Sequence, residues 1–251
     1  MMQLLTRFFS LIGNYILLLK KVFSRPEKIK IYRQRIWAEM WKLGYTSITI
    51  VFIISVFIGA VICIQMALNL ESPFIPQDLI GYATREIIVL EFSSTIVALI
   101  LAGKVGSSIA SEIGTMRITE QIDALEIMGV NSASYLILPK IISAVVFFPF
   151  LTILSMGVGI GGGYLVASMT DVIEVKDFMN GIRYSLNEFY FTYALLKAAV
   201  YAFLIASIAG FYGYYACGNS LEVGRASTKA VVTSCIAILA SDLILTKLLL
   251  T

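Results

Sequence analysis

Histidine is absent from this sequence of 251 residues, and cysteine, proline and tryptophan are scarce, with three, five and two copies. Without histidine, the imidazole-based catalytic triads, general bases and metal sites of many hydrolases are excluded. The cysteines, Cys63, Cys217 and Cys235, are scattered and form no Cys-x-x-Cys pair. They are therefore expected to be small apolar side chains in the fold, and no disulfide or metal framework is predicted.

Charged residues are scarce as well, and apolar residues are abundant in their place. Asp, Glu, Lys and Arg make up 14% of the chain and hydrophobic residues 59%, whereas charged residues are about a quarter of a soluble domain. Long uncharged runs of this kind cross a bilayer as helices. The composition therefore predicts an all-α integral membrane protein.

Five apolar stretches are long enough to cross the hydrocarbon layer, which takes about twenty residues at roughly 1.5 Å each. The predicted spans are residues 48–68, 87–102, 135–167, 191–215 and 231–249. Pro73 and Pro76 mark a turn in the short loop after the first span. No internal repeat or low-complexity linker interrupts the series, so residues 44–251 are predicted to form one transmembrane domain.

The N-terminal segment, residues 1–43, is unusually basic, with nine of the nineteen Lys and Arg residues. This excess predicts a cytoplasmic N-terminus and, with five spans, a C-terminus on the outside. Residues 1–19 are expected to form an amphipathic helix in the membrane interface, followed by a basic elbow with Trp37 and Trp41 at headgroup depth. A full membrane span over residues 1–19 is the alternative.

A polar region, residues 103–131, separates the second and third predicted spans. Ile118, Ile122 and Leu125 recur in it at i, i+4 and i+7, which predicts a short amphipathic helix. Its acidic residues outnumber its basic ones, which favours docking on a protein with basic groups. A solvated helix without a partner is the alternative.

Glycines in the third span match two patterns. Gly157, Gly159 and Gly162 spell Gly-x-Gly-x-x-Gly, but a dinucleotide-binding loop needs a strand and a turn before its helix, and neither is predicted here. Small residues four apart instead allow helices to pack closely in lipid. The glycines with this spacing are Gly157, Gly159, Gly161 and Gly163. No ATP-binding motif and no metal site is found, so no cofactor is expected in this chain.

Three ionisable residues lie inside predicted spans, where a charge costs a few kcal/mol and must face a cavity or a partner. They are Glu91, Lys197 and Asp242. One interpretation is that Lys197 and Asp242 form a structural ion pair with each other. Glu91 is the preferred functional candidate. It would place one polar group in an otherwise apolar pathway, and such a pathway suits an amphiphile with a polar headgroup.

The polar region carries a more specific pattern, Glu-Ile-Gly-Thr-Met-Arg-Ile-Thr-Glu-Gln, at residues 112–121. It resembles the signature of the MlaE/YrbE family, the permease subunits of MCE-associated ABC transporters. The similarity extends over most of the chain, including residues 57–60, Lys197 and residues 224–232.

This resemblance implies a homodimeric, non-catalytic permease in the bacterial inner membrane, with two cytoplasmic ATPase subunits that bind ATP and Mg²⁺. It also implies a periplasmic MCE-domain protein, phospholipid as the transported substrate, a periplasmic C-terminus and no nucleic-acid partner. Residues 112–128 would be the coupling region that docks on the ATPase. The residues assigned to coupling are Glu112, Arg117, Glu120, Gln121, Asp123 and Glu126.

One departure from the family concerns the start of the second span. Many members have Arg-Glu-Leu-Gly-Pro where this chain has Leu-Glu-Phe-Ser-Ser at residues 90–94. The acid, Glu91, is retained without its neighbouring base, so a substrate-pathway role rests on Glu91 alone. Two other classes stay open: an ion-coupled secondary transporter that uses Glu91 and Asp242, and a membrane scaffold without a cavity.

Overall fold

The computed structural model describes residues 2–24, 29–70, 76–170 and 173–250, and these ranges are helical without β-strands. The α-helices in chain order are α1 (Met2–Phe23), α2 (Ile29–Glu39), α3 (Thr46–Asn69), α4 (Asp78–Ile87), α5 (Val97–Leu101), α6 (Ser107–Ile118), α7 (Gln121–Ile127), α8 (Ser132–Met169), α9 (Val175–Arg183), α10 (Glu188–Tyr214) and α11 (Ser220–Leu250). Three π-helical segments, Met40–Tyr45, Ile88–Ile96 and Ala102–Gly106, join neighbouring α-helices into longer continuous ones.

Five continuous helices within the described ranges are long and apolar enough to cross a membrane. They are Tyr32–Asn69, Asp78–Ile118, Ser132–Met169, Glu188–Tyr214 and Ser220–Leu249. The interfacial position of helix α1 stays a prediction. The protein is thus an all-α integral membrane protein, as its composition predicts. The elbow residues 25–28 and Pro73 lie outside the described residues.

Three of the continuous helices begin well before their predicted spans, because polar helical turns continue them beyond the apolar stretches. The first was expected from residue 48, but its continuous helix includes Tyr32. The second was expected from residue 87, but α4 already begins at Asp78 and packs against α9. The fifth was expected from residue 231, but α11 begins at Ser220 and packs against α6 through Val223. A search for apolar runs overlooks such turns, since only one face of each is buried.

Helix α8 forms the centre of the bundle, between α3 and α10. A Cβ atom at Gly59 of α3 would overlap the carbonyl oxygen of Gly159, and one at Gly162 would overlap that of Val56. These glycines let the α3 and α8 backbones touch, as small residues do between helices in lipid.

Two of the four glycines predicted to pack closely have close neighbours within the chain. Gly159 meets α3, and Gly163 has Cys63 and the Phe178 ring as neighbours. Gly157 and Gly161 have no close neighbour within this chain, because a Cβ at either would have nothing within 4 Å, and their role in helix packing stays a prediction. Residues two apart on a helix point about 200° apart, so one set cannot face the same neighbour as the other.

The loops at the two ends of the bundle are structured differently. Successive spans alternate in direction, which places α1 and α7 at one end, the α7 end, and α9 at the other, the α9 end. At the α9 end the buried guanidinium of Arg85 donates hydrogen bonds of 2.7 Å to the carbonyl oxygens of Ile182 and Tyr184. It thereby binds carbonyl groups at the C-terminus of α9, the usual place for a basic side chain.

The polar region between the second and third spans contains the predicted short helix as α7, but this helix begins after Ile118, which belongs to α6. Helix α6 ends at Ile118, and α7 begins at Gln121. Between them Glu120 adopts a left-handed conformation with φ of 60°, which interrupts the helical path. Ile122 is nevertheless fully buried, so the apolar face predicted for this region still points toward the core.

Candidate functional site

Three charged residues from three different parts of the chain meet inside the bundle. The Nζ atom of Lys197 in α10 lies 2.5 Å from Asp242 Oδ1 in α11 and 3.0 Å from Glu91 Oε2 in the second span. The side chain of Lys197 is 0% exposed. Burying an unpaired ammonium group costs several kcal/mol, so the two carboxylates compensate for the burial of Lys197.

The two carboxylates of this cluster have different surroundings. Asp242 also accepts a hydrogen bond of 2.7 Å from the hydroxyl of Tyr201, a buried residue of α10. Glu91 accepts one of 3.3 Å from Thr95 Oγ1 and keeps 41% of its side chain exposed. It lies on the π-helical segment Ile88–Ile96, and such segments are frequent at functional sites. Glu91 is therefore the most exposed member of the cluster, ahead of Asp242 at 20%.

These contacts bear directly on two sequence-based interpretations. The predicted pair between Lys197 and Asp242 is present. Glu91, expected to act alone because Leu90 stands in place of an arginine, is paired across space with the same lysine. The functional role of Glu91, Lys197 and Asp242 stays a prediction.

An apolar groove lies between α3 and the segment that carries Glu91. It has a volume of about 280 Å³ and is lined by Phe57, Ile58, Val61, Ile62, Gln65 and Phe92. Phe92 follows Glu91 directly in the chain, which brings the groove and the carboxylate onto the same segment. An apolar groove of this size can hold part of an acyl chain, while Glu91 itself faces Lys197 of α10 and is not among the residues that line the groove.

A second charged cluster ties the elbow to the bundle at the α7 end. Lys140 Nζ lies 2.7 Å from Glu39 Oε1 and 2.8 Å from Glu112 Oε2, and Lys42 Nζ lies 2.9 Å from the same Glu112 oxygen. Glu112 thereby joins α6 to α8 and to the π-helical segment after α2. Glu112 thus has partners within the chain while 31% of its side chain stays exposed, and its predicted role in coupling stays a prediction.

The coupling residues predicted on α7 and beside it fall into two groups. Arg117 Nη1 and Asp123 Oδ1 are paired at 2.7 Å, which connects α6 to α7 across the break. Hydrogen bonds from Lys21, Ser132 and Tyr214 hold the pKa of Glu126 at about 2. Both of these acids are therefore engaged with other parts of the chain.

The exposed face of α7 is consequently smaller and more apolar than predicted. Glu120 and Gln121 are exposed at its start. At its end Ile127 is 87% exposed and Met128 is 67% exposed. A surface with two exposed apolar side chains at its tip is suited to insertion into a groove of a partner protein.

Four of the residues that complete these clusters were missed by sequence analysis and bear most on the site. Tyr201 and Tyr214 supply hydroxyl groups, while Lys140 and Lys21 supply the cations that pair with Glu112 and Glu126. The tyrosines have no spacing signal because each partner is far away in the chain. Lys140 carried a usable signal, since a lysine at the edge of an apolar span needs a counter-ion.

Comparisons with known proteins give the same assignment over nearly the whole chain. The model of the family Permease MlaE matches residues 36–248. A probable ABC transporter permease protein of Rickettsia conorii is 32% identical over 242 residues, 96% of this chain and 93% of its own length. Another from Synechocystis sp. is 33% identical over 230 residues, 91% of this chain and 87% of its own length.

A plant relative is more distant. The protein TRIGALACTOSYLDIACYLGLYCEROL 1, chloroplastic, of Arabidopsis thaliana is 28% identical over 225 residues, 90% of this chain and 64% of its own length. The family model covers nearly all of the five spans and the polar region with its coupling residues. This chain therefore belongs to the MlaE permease family, and it is a membrane permease subunit of the ABC transporter type.

Proposed function

We propose that this permease moves phospholipids between the bacterial inner membrane and the cell envelope, driven by ATP that a partner protein hydrolyses. The observation that carries the proposal is the Glu91, Lys197 and Asp242 cluster, whose accessible carboxylate lies on the segment that also lines an apolar groove. A phospholipid has a charged headgroup and apolar chains, so it matches both features. The plant relative is named after a glycolipid, which supports a lipid as the substrate class.

The partner ATPase is proposed to dock at the α7 end, which is the cytoplasmic end in this account. Lys21, Arg35 and Lys42 of the N-terminal segment lie at this end, in keeping with the positive-inside rule. The docking face consists of Glu120, Gln121, Ile127 and Met128, the exposed residues around α7. ATP and Mg²⁺ are bound by the partner ATPase, and this chain contributes the docking face on which the ATPase acts.

Two copies of the chain are proposed to enclose the lipid cavity. The most apolar window of α11 is only 11% buried within one chain, and Gly157 and Gly161 of α8 have open space in front of them. Surfaces of this kind can meet lipid or a second copy. In the dimer the two apolar grooves would face a common cavity, with an MCE-domain protein receiving the lipid at the α9 end.

Transport in this account follows from a change of shape in the dimer. ATP binding closes the ATPase pair, α7 moves with it, and the spans attached to α7 open or narrow the cavity. Glu91 binds the headgroup while the chains stay in the groove. Because the cluster carries two acids and one base, its accessible end is formally anionic when all three are ionised, which favours contact with a cationic part of a headgroup.

Affinity purification of the tagged protein from its native membrane tests the proposal, with mass spectrometry of the proteins and lipids that copurify. An ABC ATPase, an MCE-domain protein and bound phospholipid are expected together. A tagged membrane protein of similar size from another family, extracted in the same detergent, is the control. Recovery of neither partner under conditions that keep other transporters intact would contradict the proposal and favour a secondary transporter or a scaffold.

A further inference from the structure

The C-terminal end of helix α1 is bound to α7 through one carboxylate oxygen. Glu126 Oε1 accepts hydrogen bonds of 2.8 Å from Lys21 Nζ, Ser132 Oγ and the Tyr214 hydroxyl. Lys21 also donates to the Tyr214 hydroxyl at 3.0 Å. These four residues, here called the Glu126 network, come from α1, α7, α8 and α10, so one oxygen atom links four helices.

The network differs from an ordinary surface salt bridge. Lys21 and Glu126 have side chains that are 46% and 41% exposed, and such a pair alone contributes little. Ser132 is 0% exposed and Tyr214 6% exposed, however, so two of the three donors to Glu126 are fixed inside the protein. Three donors on one oxygen restrict its position far more than one flexible ion pair would.

A second set of contacts binds the same part of α1 independently. The side-chain amide of Asn131 donates to the carbonyl oxygens of Lys21 and Ser24, at 2.8 and 2.7 Å. Its oxygen accepts from the backbone N–H of Ser134 and caps the start of α8. Carbonyl groups at the end of α1 are thus joined to the first turn of α8.

Helix α7 itself is connected to its neighbours by two residues in left-handed conformations. Glu120 before it has φ of 60°, and Gly129 after it has φ of 78°. Positions of this kind can act as hinges because they already lie outside the helical path. A seven-residue helix between two such positions depends on side-chain contacts to pass its motion to the rest of the molecule.

We propose that α1 belongs to the unit that transmits motion from α7, and that Lys21 is the positioning residue that joins them. This inference rests on the proposed function, because it assumes that an ATPase moves α7. Displacement of α7 then pulls on α1 through Lys21 and on α10 through Tyr214, whose helix also carries Lys197 of the intramembrane cluster. The interfacial helix is in this way a mechanical part of the transporter and more than a membrane anchor.

The test compares Lys21→Met with Lys20→Met, which removes the neighbouring, exposed lysine of the same helix. Each variant is purified with its ATPase and reconstituted in phospholipid vesicles, and the amount of lipid moved per ATP hydrolysed is measured. Lys21→Met is expected to lower this ratio by about fivefold or more, with ATPase binding and ATP hydrolysis retained. Lys20→Met is expected to keep the wild-type ratio.

Two further variants keep the test decisive if Lys21→Met is poorly produced. Tyr214→Phe removes a single hydroxyl from the network and should also lower the ratio, whereas Lys21→Arg keeps the charge and should preserve it. Equal ratios for Lys21→Met, Tyr214→Phe and Lys20→Met, or a Lys21→Arg variant as defective as Lys21→Met, would overturn the inference. A wild-type complex without ATP-dependent lipid transfer would instead overturn the proposed function.

Discussion

Glu91 and Lys197, 106 positions apart in the chain, are joined by a contact of 3.0 Å between Oε2 and Nζ inside the membrane-spanning bundle. The contact connects the second span to the fourth, and Asp242 extends it to the fifth. Because the ammonium group is fully buried and Glu91 is not, the cluster combines a fixed internal charge with an accessible one. Lys197 is therefore expected to determine the stability of the cluster, and Glu91 its contact with a substrate.

The buried cation predicts a specific order of stabilities. Lys197→Met leaves two carboxylates without their counter-ion and should destabilise the protein by about 3–5 kcal/mol. Adding Glu91→Gln and Asp242→Asn to Lys197→Met removes the unpaired charges and should recover most of that loss. Thermal unfolding in detergent measures both effects. A triple variant no more stable than Lys197→Met would show that charge pairing is not the source of the loss.

Glu91 should matter for lipid transfer more than for assembly. Glu91→Ala is expected to reduce transfer of labelled phospholipid between vesicles at least about tenfold, since a headgroup contact worth more than about 1.4 kcal/mol is lost. Copurification with the ATPase should be unchanged. Glu188→Gln, an exposed acid at the start of α10, is the control. Normal transfer by Glu91→Ala would make Glu91 a structural residue.

The tip of α7 should govern attachment of the ATPase. Met128→Arg places a charge at an exposed apolar position, and loss of this contact should reduce the ATPase recovered with the permease at least about fivefold. Met169→Arg is the matched control, because Met169 is 81% exposed but lies at the α9 end. Equal recovery of the ATPase with both variants would exclude the proposed docking face.

The glycine contacts allow a comparison within one helix. Ala normally favours a helix interior over Gly by about 0.8–1.0 kcal/mol, so Gly161→Ala, with nothing within 4 Å of its new Cβ, should keep or raise the unfolding temperature of the monomer. Gly162→Ala overlaps the carbonyl oxygen of Val56 and should destabilise by about 1–3 kcal/mol. The α3–α8 contact described above is contradicted if the two variants unfold at the same temperature.

The Glu126 network has a defined pH dependence. The pKa of Glu126 is lowered from 4.5 to about 2, so its stabilising contribution is complete above the unfolded value and is lost as the pH falls from about 4.5 toward 2. Hydrogen bonds to Glu126 and Tyr214 outweigh burial and raise the pKa of Lys21, which keeps it charged throughout this range. The stability difference between wild type and Glu126→Gln should therefore be constant from pH 8 to about pH 5 and shrink below it. A difference that already declines between pH 7 and pH 5 would contradict this assignment.

The membrane architecture could be predicted from the sequence because it follows from local composition. Uncharged runs of sufficient length indicate spans wherever they occur, and their positions agree with the five helices found. The helical turns that begin at Asp78 and Ser220 were missed because polar residues on their exposed faces interrupt the apolar runs that indicate a span. The break at Glu120 was missed for a different reason, since the left-handed conformation is adopted by a residue whose type does not require it.

The candidate site could be predicted only in part, because its partners are distant in sequence. A charge inside a span is costly and therefore indicates a structural or functional role, and this rule identified Glu91, Lys197 and Asp242. The cost of burial also implied that Lys197 needs an acid, and Asp242 was correctly suggested. For Glu112 and Glu126 no such rule applied, since an acid in a polar region can face either solvent or another helix, and the deciding lysines come from elsewhere in the chain.

The most direct test of the central claim is lipid transfer by the purified complex in vesicles of defined phospholipid composition, with and without ATP. The account predicts transfer that requires hydrolysable ATP, stops with a non-hydrolysable analogue and falls strongly in Glu91→Ala. Transfer that continues without ATP and instead follows an imposed proton or sodium gradient would contradict it. That result would make Glu91 and Asp242 the ion-binding groups of a secondary transporter.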